Sequence, residues 1–202
     1  MDTNLLISNI GYCEMYEWVK QPNQNDRFGK FVQFSEEHPG KIEPYHNASA
    51  IVVGVSTVEA KVLSDDADFW HGQFMYNEFG DAYLGKDKYI AGKRKYDHLN
   101  EFSFIATEIK DELLPISSEK FDKTKDFVKR SNRLEWAKVN LLGKVIVIDN
   151  GTLKPGDMCM PYSGSDASKF GTAVKATAKA KHKYYVVDRV SENTVTILNK
   201  SI

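Results

Sequence analysis

The stretch Gly11–Phe34, GYCEMYEWVKQPNQNDRFGKFVQF, gathers the side chains best suited to proton-transfer chemistry. Glu14, Glu17 and Asp26 lie there among Tyr12, Tyr16 and Trp18, around the polar turn Gln21-Pro22-Asn23-Gln24-Asn25. If Glu14–Trp18 is extended, period-two alternation puts Glu14, Tyr16 and Trp18 on one face and holds a carboxylate beside aromatic rings. Desolvation in such a place raises a carboxyl pKa toward the range where a general acid or base works near neutral pH. The competing reading is a half-buried strand whose acids reach solvent or pair with Arg27, because ion pairs also perturb acids without doing chemistry.

The elements that must position these groups read as β-structure. Phe31–Phe34 continues the motif as a strand, and Ser35–Asn47 collects Pro39, Gly40 and Pro44, which preset turns. Ala50–Val58, AIVVGVSTV, reads as a strand buried on both faces. Gly80–Asn100 is charged and Gly-punctuated, Glu101–Thr107 alternates as a strand, and Ile109–Pro115 is short enough for one helical turn. Ser117–Arg133 is a charged surface excursion with no apolar stripe. Val139–Leu142 and Lys144–Ile148 read as two strands broken at Gly143, and Asp149-Asn150-Gly151 carries a tight-hairpin signal. Leu153–Asp157 is a second turn, after which Tyr184–Val190 and Thr194–Leu198 pair across Ser191-Glu192-Asn193.

Other clusters carry weaker signals. Ser64-Asp65-Asp66-Ala67-Asp68 has the acid density of a calcium loop without its central Gly and distal Glu, so it reads as a solvated acidic loop. His71 sits in the densest aromatic run, Phe69–Tyr76, and no two of His38, His46, His71, His98 and His182 have metal-ligand spacing. No metal and no cofactor is therefore expected. Ser163–Lys183 holds Lys169, Lys175, Lys179, Lys181 and Lys183, which offers point charges to phosphate but no P-loop, so a solvated loop is the plainer reading. Ser163-Gly164-Ser165 lacks the G-x-S-x-G frame of a nucleophile elbow.

Composition bounds the rest. A chain of 202 residues that is 42% hydrophobic supports a real core. Its 27 Lys and Arg against 28 Asp and Glu create no net field to draw nucleic acid or an anionic membrane. Aromatic content of 12% with many β-branched residues favours a mostly β class, as a barrel or sandwich-like domain with few short helices and long charged loops. Cys13 and Cys159 are unpatterned and read as buried free thiols. No apolar run reaches membrane-helix length, and Met1–Ile10 lacks a signal-peptide pattern.

The order of motifs adds a resemblance. Tyr12–Trp18, Asn25–Val32, Trp70-His71-Gly72 with Glu78-Phe79-Gly80, Arg133–Val139 with Leu141-Leu142-Gly143, and Asp149–Thr152 with Gly156 fall in one register. In that register the chain resembles the self-cleaving intramolecular chaperone domain at the C-terminus of phage tail-spike and pre-neck appendage proteins, of glutamic peptidase type. The resemblance implies a trimeric β-rich domain that helps an upstream spike chain fold and then cuts itself free. It implies residues 1–10 as an arm ahead of the cleavage point, residues 11–202 as the chaperone-like domain, and a cut near Ile10–Gly11. Carried over by position, Glu14 leads the chemistry, with Glu17 and Asp26 as helpers.

Gly11 and Ile10 stand where the family has an acid and a small polar residue, which points to a viral structural assembly protein whose cleavage is vestigial. The alternatives are an active single-turnover self-peptidase, or a nucleotide or nucleic-acid binding module using Lys169–Lys183. The partners implied are two further copies, the upstream spike chain or other virion proteins. The place is the host cytoplasm during assembly and the virion if the domain is retained.

Overall fold

The motif around Glu14 forms strand β1 (Tyr12–Trp18), in which Cys13, Met15 and Trp18 are buried and the residues between them half-buried. The computed structural model describes residues 11–23, 26–67, 70, 72–96 and 102–199, with the backbone alone for 86–96 and 102–112. The expected arm 1–10, Asp68, His71 and His98 lie outside the described residues. Twelve strands form among the described residues, and the helical content there is short 3-10 turns, so the mostly β expectation holds.

The chain divides into two compact units, one of Met1–Asp66 with Val128–Ile202 and one of Ala67–Phe127. In the first, β2 (Phe31–Phe34), β3 (Lys41–Pro44), β4 (Val52–Thr57), β5 (Val62–Ser64) and β8 (Trp136–Ile148) surround β1. β1 pairs with β3, β3 with β2, β2 with β4, β4 with β8 and β8 again with β1, so this ladder returns to its first strand. Such closure leaves few free edges. The remaining strands, β9 (Met158–Pro161), β10 (Ala173–Lys175), β11 (Tyr184–Ser191) and β12 (Thr194–Asn199), extend the sheet from β8 in the order β8-β12-β11-β9-β10.

β8 belongs to both halves of this unit. Residues 136–142 pair with β1, and residues 143–148 pair with β12. Gly143 sits at the changeover with φ +109°, a conformation that disfavours L side chains. The sequence suggested two strands broken at Gly143; the ladder instead continues through it, because each half finds a different partner. Two clusters result. Trp18, Val32, Ile42, Ala137 and Val139 pack in one, while Phe31, Val55, Val145, Val147, Leu153, Cys159, Val186 and Ile197 share the other.

The Asn-Gly turn behaves differently from its signal. Gly151 has φ +81°, but β8 pairs with β12 and the chain runs on to β9, so no hairpin forms there. The cause is Asp149. Its fully buried carboxylate receives Arg189 of β11 through Nη2–Oδ2 at 2.8 Å and Nη1–Oδ1 at 3.3 Å, and also the Leu153 amide at 3.2 Å. The β11–β12 hairpin forms where expected. Ser35–Asn47, read as turns alone, contains β3 between its turn residues.

The second unit is built on a long hairpin of β6 (Leu84–Tyr96) and β7 (Phe102–Pro115), paired from Leu84↔Pro115 to Tyr96↔Phe102 with one register shift between Ala91 and Gly92. Ile109–Pro115 is therefore strand and not a helical turn. A complete partner strand outweighs the propensity of so short a segment, and seven residues are too few to nucleate a helix alone. At the base, Phe74↔Ser117 and Tyr76↔Ala82 are bridged, and Trp70 meets Phe127 edge-on at 5.8 Å.

Two predictions follow from this packing. Asp149→Ala should lower the thermal midpoint well beyond Asp166→Ala, because Asp149 leaves Arg189 facing a buried gap whereas Asp166 pairs with Lys169 at the surface. Differential scanning calorimetry of both variants checks it, and equal shifts would contradict it. Burial pushes the Cys13 thiol up to about 11 and the Cys159 thiol up to about 12. Both are free and buried, so at pH 8 neither should react with an aromatic disulfide reagent until denaturant is added.

Candidate functional site

The three acids singled out in the sequence take three different kinds of partner. Glu14, half-buried in the middle of β1, accepts from both neighbouring phenols: Tyr12 Oη reaches Oε1 at 2.5 Å and Tyr16 Oη reaches Oε2 at 2.9 Å. Alternation along the strand is the reason, since residues 12, 14 and 16 share a face. Glu17 pairs with Lys41 of β3 at 2.7 Å, directly across the ladder. Asp26 is exposed at the start of the turn into β2, where its amide donates to the Asn23 carbonyl at 2.9 Å. Burial pulls the Lys30 ammonium down, and the Asp26 charge works against that. Arg27, the alternative partner for these acids, donates instead to the Trp136 carbonyl at 2.8 Å.

The two phenols are held in the donor form. Burial, followed by the hydrogen bond to Glu14, pushes Tyr16 up to about 12. For Tyr12 the Glu14 bond is the main cause of an upward shift, with a Ser64 hydrogen bond opposing it. Near neutral pH both keep their protons and orient the carboxylate. Tyr16 also touches Phe34 edge-on at 5.6 Å, and both rings line an open groove of about 630 Å³ with Val53, Leu141 and Tyr185.

Ile10 lies outside the described residues, but Gly11 is described. It is half-buried, and its carbonyl accepts the Lys61 amide at 3.3 Å. A side chain at position 11 would run into the Leu142 carbonyl of β8.

Sequence reasoning treated Tyr16 as an apolar wall and passed over Tyr12; the structure makes both hydrogen-bond donors. The same alternation that grouped Glu14 with Tyr16 could have found Tyr12. The acidic loop faces solvent at Asp65, which is 52% exposed, but it is tied down by partners that the sequence did not reveal. Asp65, with φ 61°, forms an ion pair with Arg130, whose guanidinium lies 4.1 Å from the Trp136 ring centre. Asp66 accepts from the Ser131 amide at 2.9 Å and its hydroxyl at 2.7 Å. Among the described residues no group of acids, histidines or cysteines is arranged to hold a metal. Four of the five lysines in the lysine-rich stretch have a partner within the chain. Lys169 pairs with Asp166 at 2.9 Å and Lys175 with Asp157 at 3.1 Å, while Lys181 and Lys183 donate to the Ser49 and Ala178 carbonyls.

Comparison with known proteins bears on the same residues. The pre-neck appendage protein of Bacillus phage phi29 is 28% identical over 150 residues, covering 73% of this chain and 16% of its own length. The preneck appendage protein of Bacillus phage PZA is 27% identical over the same length and with the same coverage. The chain thus spans about a sixth of these curated relatives. Its fold matches that of the pre-mature bacteriophage phi29 gene product 12 with a TM-score of 0.63 at 19% identity, over 96% of this chain and 22% of the other. It also matches the C-terminal fragment of that gene product with a TM-score of 0.59 at 20% identity, over 94% of this chain and 99% of the fragment. Residues 6–188 match the family described as Peptidase_G2, IMC autoproteolytic cleavage domain, and the chain, with its strand-borne glutamate between two phenols, belongs to that family.

Proposed function

We propose that this chain is the assembly domain of a phage appendage protein and that, although Gly11 stands where the family has an acid, it still hydrolyses the Ile10–Gly11 bond with Glu14 as general base. The observation that carries the proposal is the Glu14 carboxylate gripped by Tyr12 and Tyr16 three residues after Gly11, in a family described by autoproteolytic cleavage. Glu14 takes a proton from water, the resulting hydroxide adds to the Ile10 carbonyl carbon, and the C–N bond breaks as the proton passes to the Gly11 nitrogen. Glu17 and Asp26 stay orienting charges, tied to Lys41 and to the surface turn.

An extended strand rises about 3.3 Å per residue, so the Gly11 and Glu14 backbones lie roughly 10 Å apart along β1. The Glu14 side chain and the attacking water have to span that distance, because the Gly11 end of the bond is held in the strand by the Lys61 amide. The same proposal includes assembly of three copies on an upstream appendage chain. Exposed Phe34, Ile51, Met158 and Tyr185 all border the groove beside Tyr16, and an apolar surface of that kind favours being covered in an assembly.

With a carrier protein fused ahead of Met1, mass spectrometry should find two products split at Ile10–Gly11. Glu14→Gln should leave the fusion intact without changing its circular dichroism. Tyr12→Phe and Tyr16→Phe should each slow the cut about tenfold, each removing one hydrogen bond that orients the carboxylate. Cutting at the parental rate in Glu14→Gln would show that another group is the base. Light scattering should give three times the 22.9 kDa chain mass, and a monomer at micromolar concentration would remove the assembly part of the proposal.

A further inference from the structure

Asn150-Gly151 is the one Asn-Gly step in the sequence, and the fold gives it neither the hairpin it signals nor a part in the proposed cleavage. Residues 150–152 form an exposed link between two buried anchors. On one side, the Asp149 amide donates to the Asn193 carbonyl at 2.9 Å and its carboxylate holds Arg189. On the other, Leu153 is fully buried, its amide donating to Asp149 Oδ2 at 3.2 Å and its carbonyl accepting Arg189 Nε at 3.0 Å.

That exposed link holds both halves of an intramolecular reaction. The nucleophile is the Gly151 amide nitrogen, which donates to no backbone carbonyl among the described residues. With no Cβ on its own residue, its approach to the preceding side chain is uncrowded. The electrophile is the Asn150 side-chain carbonyl, whose oxygen accepts the Thr152 hydroxyl at 2.7 Å and, more loosely, the Thr152 amide at 3.4 Å. Two donors on that oxygen stabilise the negative charge that develops there when the carbon is attacked. Asn47 supplies a control in the same chain. Its side-chain oxygen takes the Ser49 hydroxyl at 2.6 Å and the Ser49 amide at 3.0 Å, but the residue that follows it is Ala48, whose Cβ crowds the attack.

We infer that Asn150-Gly151 is a self-modification site, at which the folded chain converts its own asparagine to aspartate and isoaspartate with Thr152 polarising the reacting carbonyl. The Gly151 nitrogen loses its proton to water and bonds to the Asn150 side-chain carbonyl carbon. The bond from that carbon to the side-chain nitrogen then breaks, and ammonia leaves with a proton returned from water, closing a succinimide ring. Water opens the ring at either carbonyl, so one water is taken up and one ammonia released, with no oxidant or cofactor. Both products place a negative charge next to Asp149, and isoaspartate also lengthens the main chain by a carbon between Asp149 and Leu153. Conversion therefore loosens the anchor that Arg189 makes with both residues. The inference stands apart from the cleavage proposal.

The test holds the folded full chain at pH 8, digests it with trypsin and follows the peptides Val145–Lys169 and Ile42–Lys61 by mass spectrometry, with isoaspartate read by an isoaspartyl methyltransferase. The first peptide should convert to aspartate and isoaspartate forms while Asn47 in the second stays unchanged. Thr152 is exposed, so Thr152→Val folds as the parent does. It should slow conversion about fivefold in the folded chain, the effect of one net hydrogen bond lost. In synthetic peptides of residues 145–154 the same substitution should leave the rate unchanged, because no fold holds the hydroxyl against Asn150. The converted chain should also melt below the fresh one in calorimetry. A folded chain left unconverted over the time in which the synthetic peptide converts overturns the inference, as does Asn47 converting as fast as Asn150. Parental conversion in folded Thr152→Val, an equal slowing in peptide and chain, or an unchanged melting midpoint after conversion overturns it too.

Discussion

The arrangement of this protein depends on one strand serving two cores. β8 contributes Ala137 and Val139 to the cluster around Trp18, and Val145 and Val147 to the cluster around Phe31. Along β8 the pairing passes from β1, over residues 136–142, to β12, over residues 143–148. Gly143, at φ +109°, sits at that passage. There the Leu142 carbonyl lies against Gly11, so the point where the two halves of the sheet meet is also the point where β1 begins.

Buried polar groups make that junction specific. Ser56 bonds both the amide and the carbonyl of Lys30 across β4 and β2. Gln33 donates to Glu43 at 3.1 Å and accepts the amides of His46 and Asn47, which holds the return from β3. Asn140 and Asn199 do the same for β8 and β12. Each is satisfied in this pairing and would lose its partners in a strand slipped by one residue, where a buried, unpaired amide costs about 1–3 kcal/mol. The polar interior therefore selects one register out of several that apolar burial alone would tolerate.

The strands were legible because β-branched and aromatic runs alternate with turn residues at Pro39-Gly40, Pro155-Gly156 and Glu192-Asn193. The Glu14 face was legible for the same reason, since a period of two needs only one strand. What the sequence hid is long-range. The continuity of β8 through Gly143 depends on β12, and the failure of the Asn-Gly turn to make a hairpin depends on Arg189 reaching Asp149 from forty residues on. Local pattern favoured a helical turn at Ile109–Pro115, and the partner strand overruled it. Tyr12 was missed because a tyrosine is read first as a ring, although its hydroxyl decides its role here.

In the proposed reaction, base and scissile bond ride on one strand, so the substrate arrives by folding and never by diffusion. Effective concentration is then set by how well the fold places one backbone segment, which is the regime in which oriented groups gain most. Around that segment the fold gathers residues far apart in sequence: Leu142 and Gly143 lie against Gly11, and Asn199, near the other end of the described chain, holds Asn140. A chain with only β1 formed has the carboxylate without the β8 backbone that encloses Gly11. Under the proposed reaction, the strands that enclose Gly11 have to form before the domain separates.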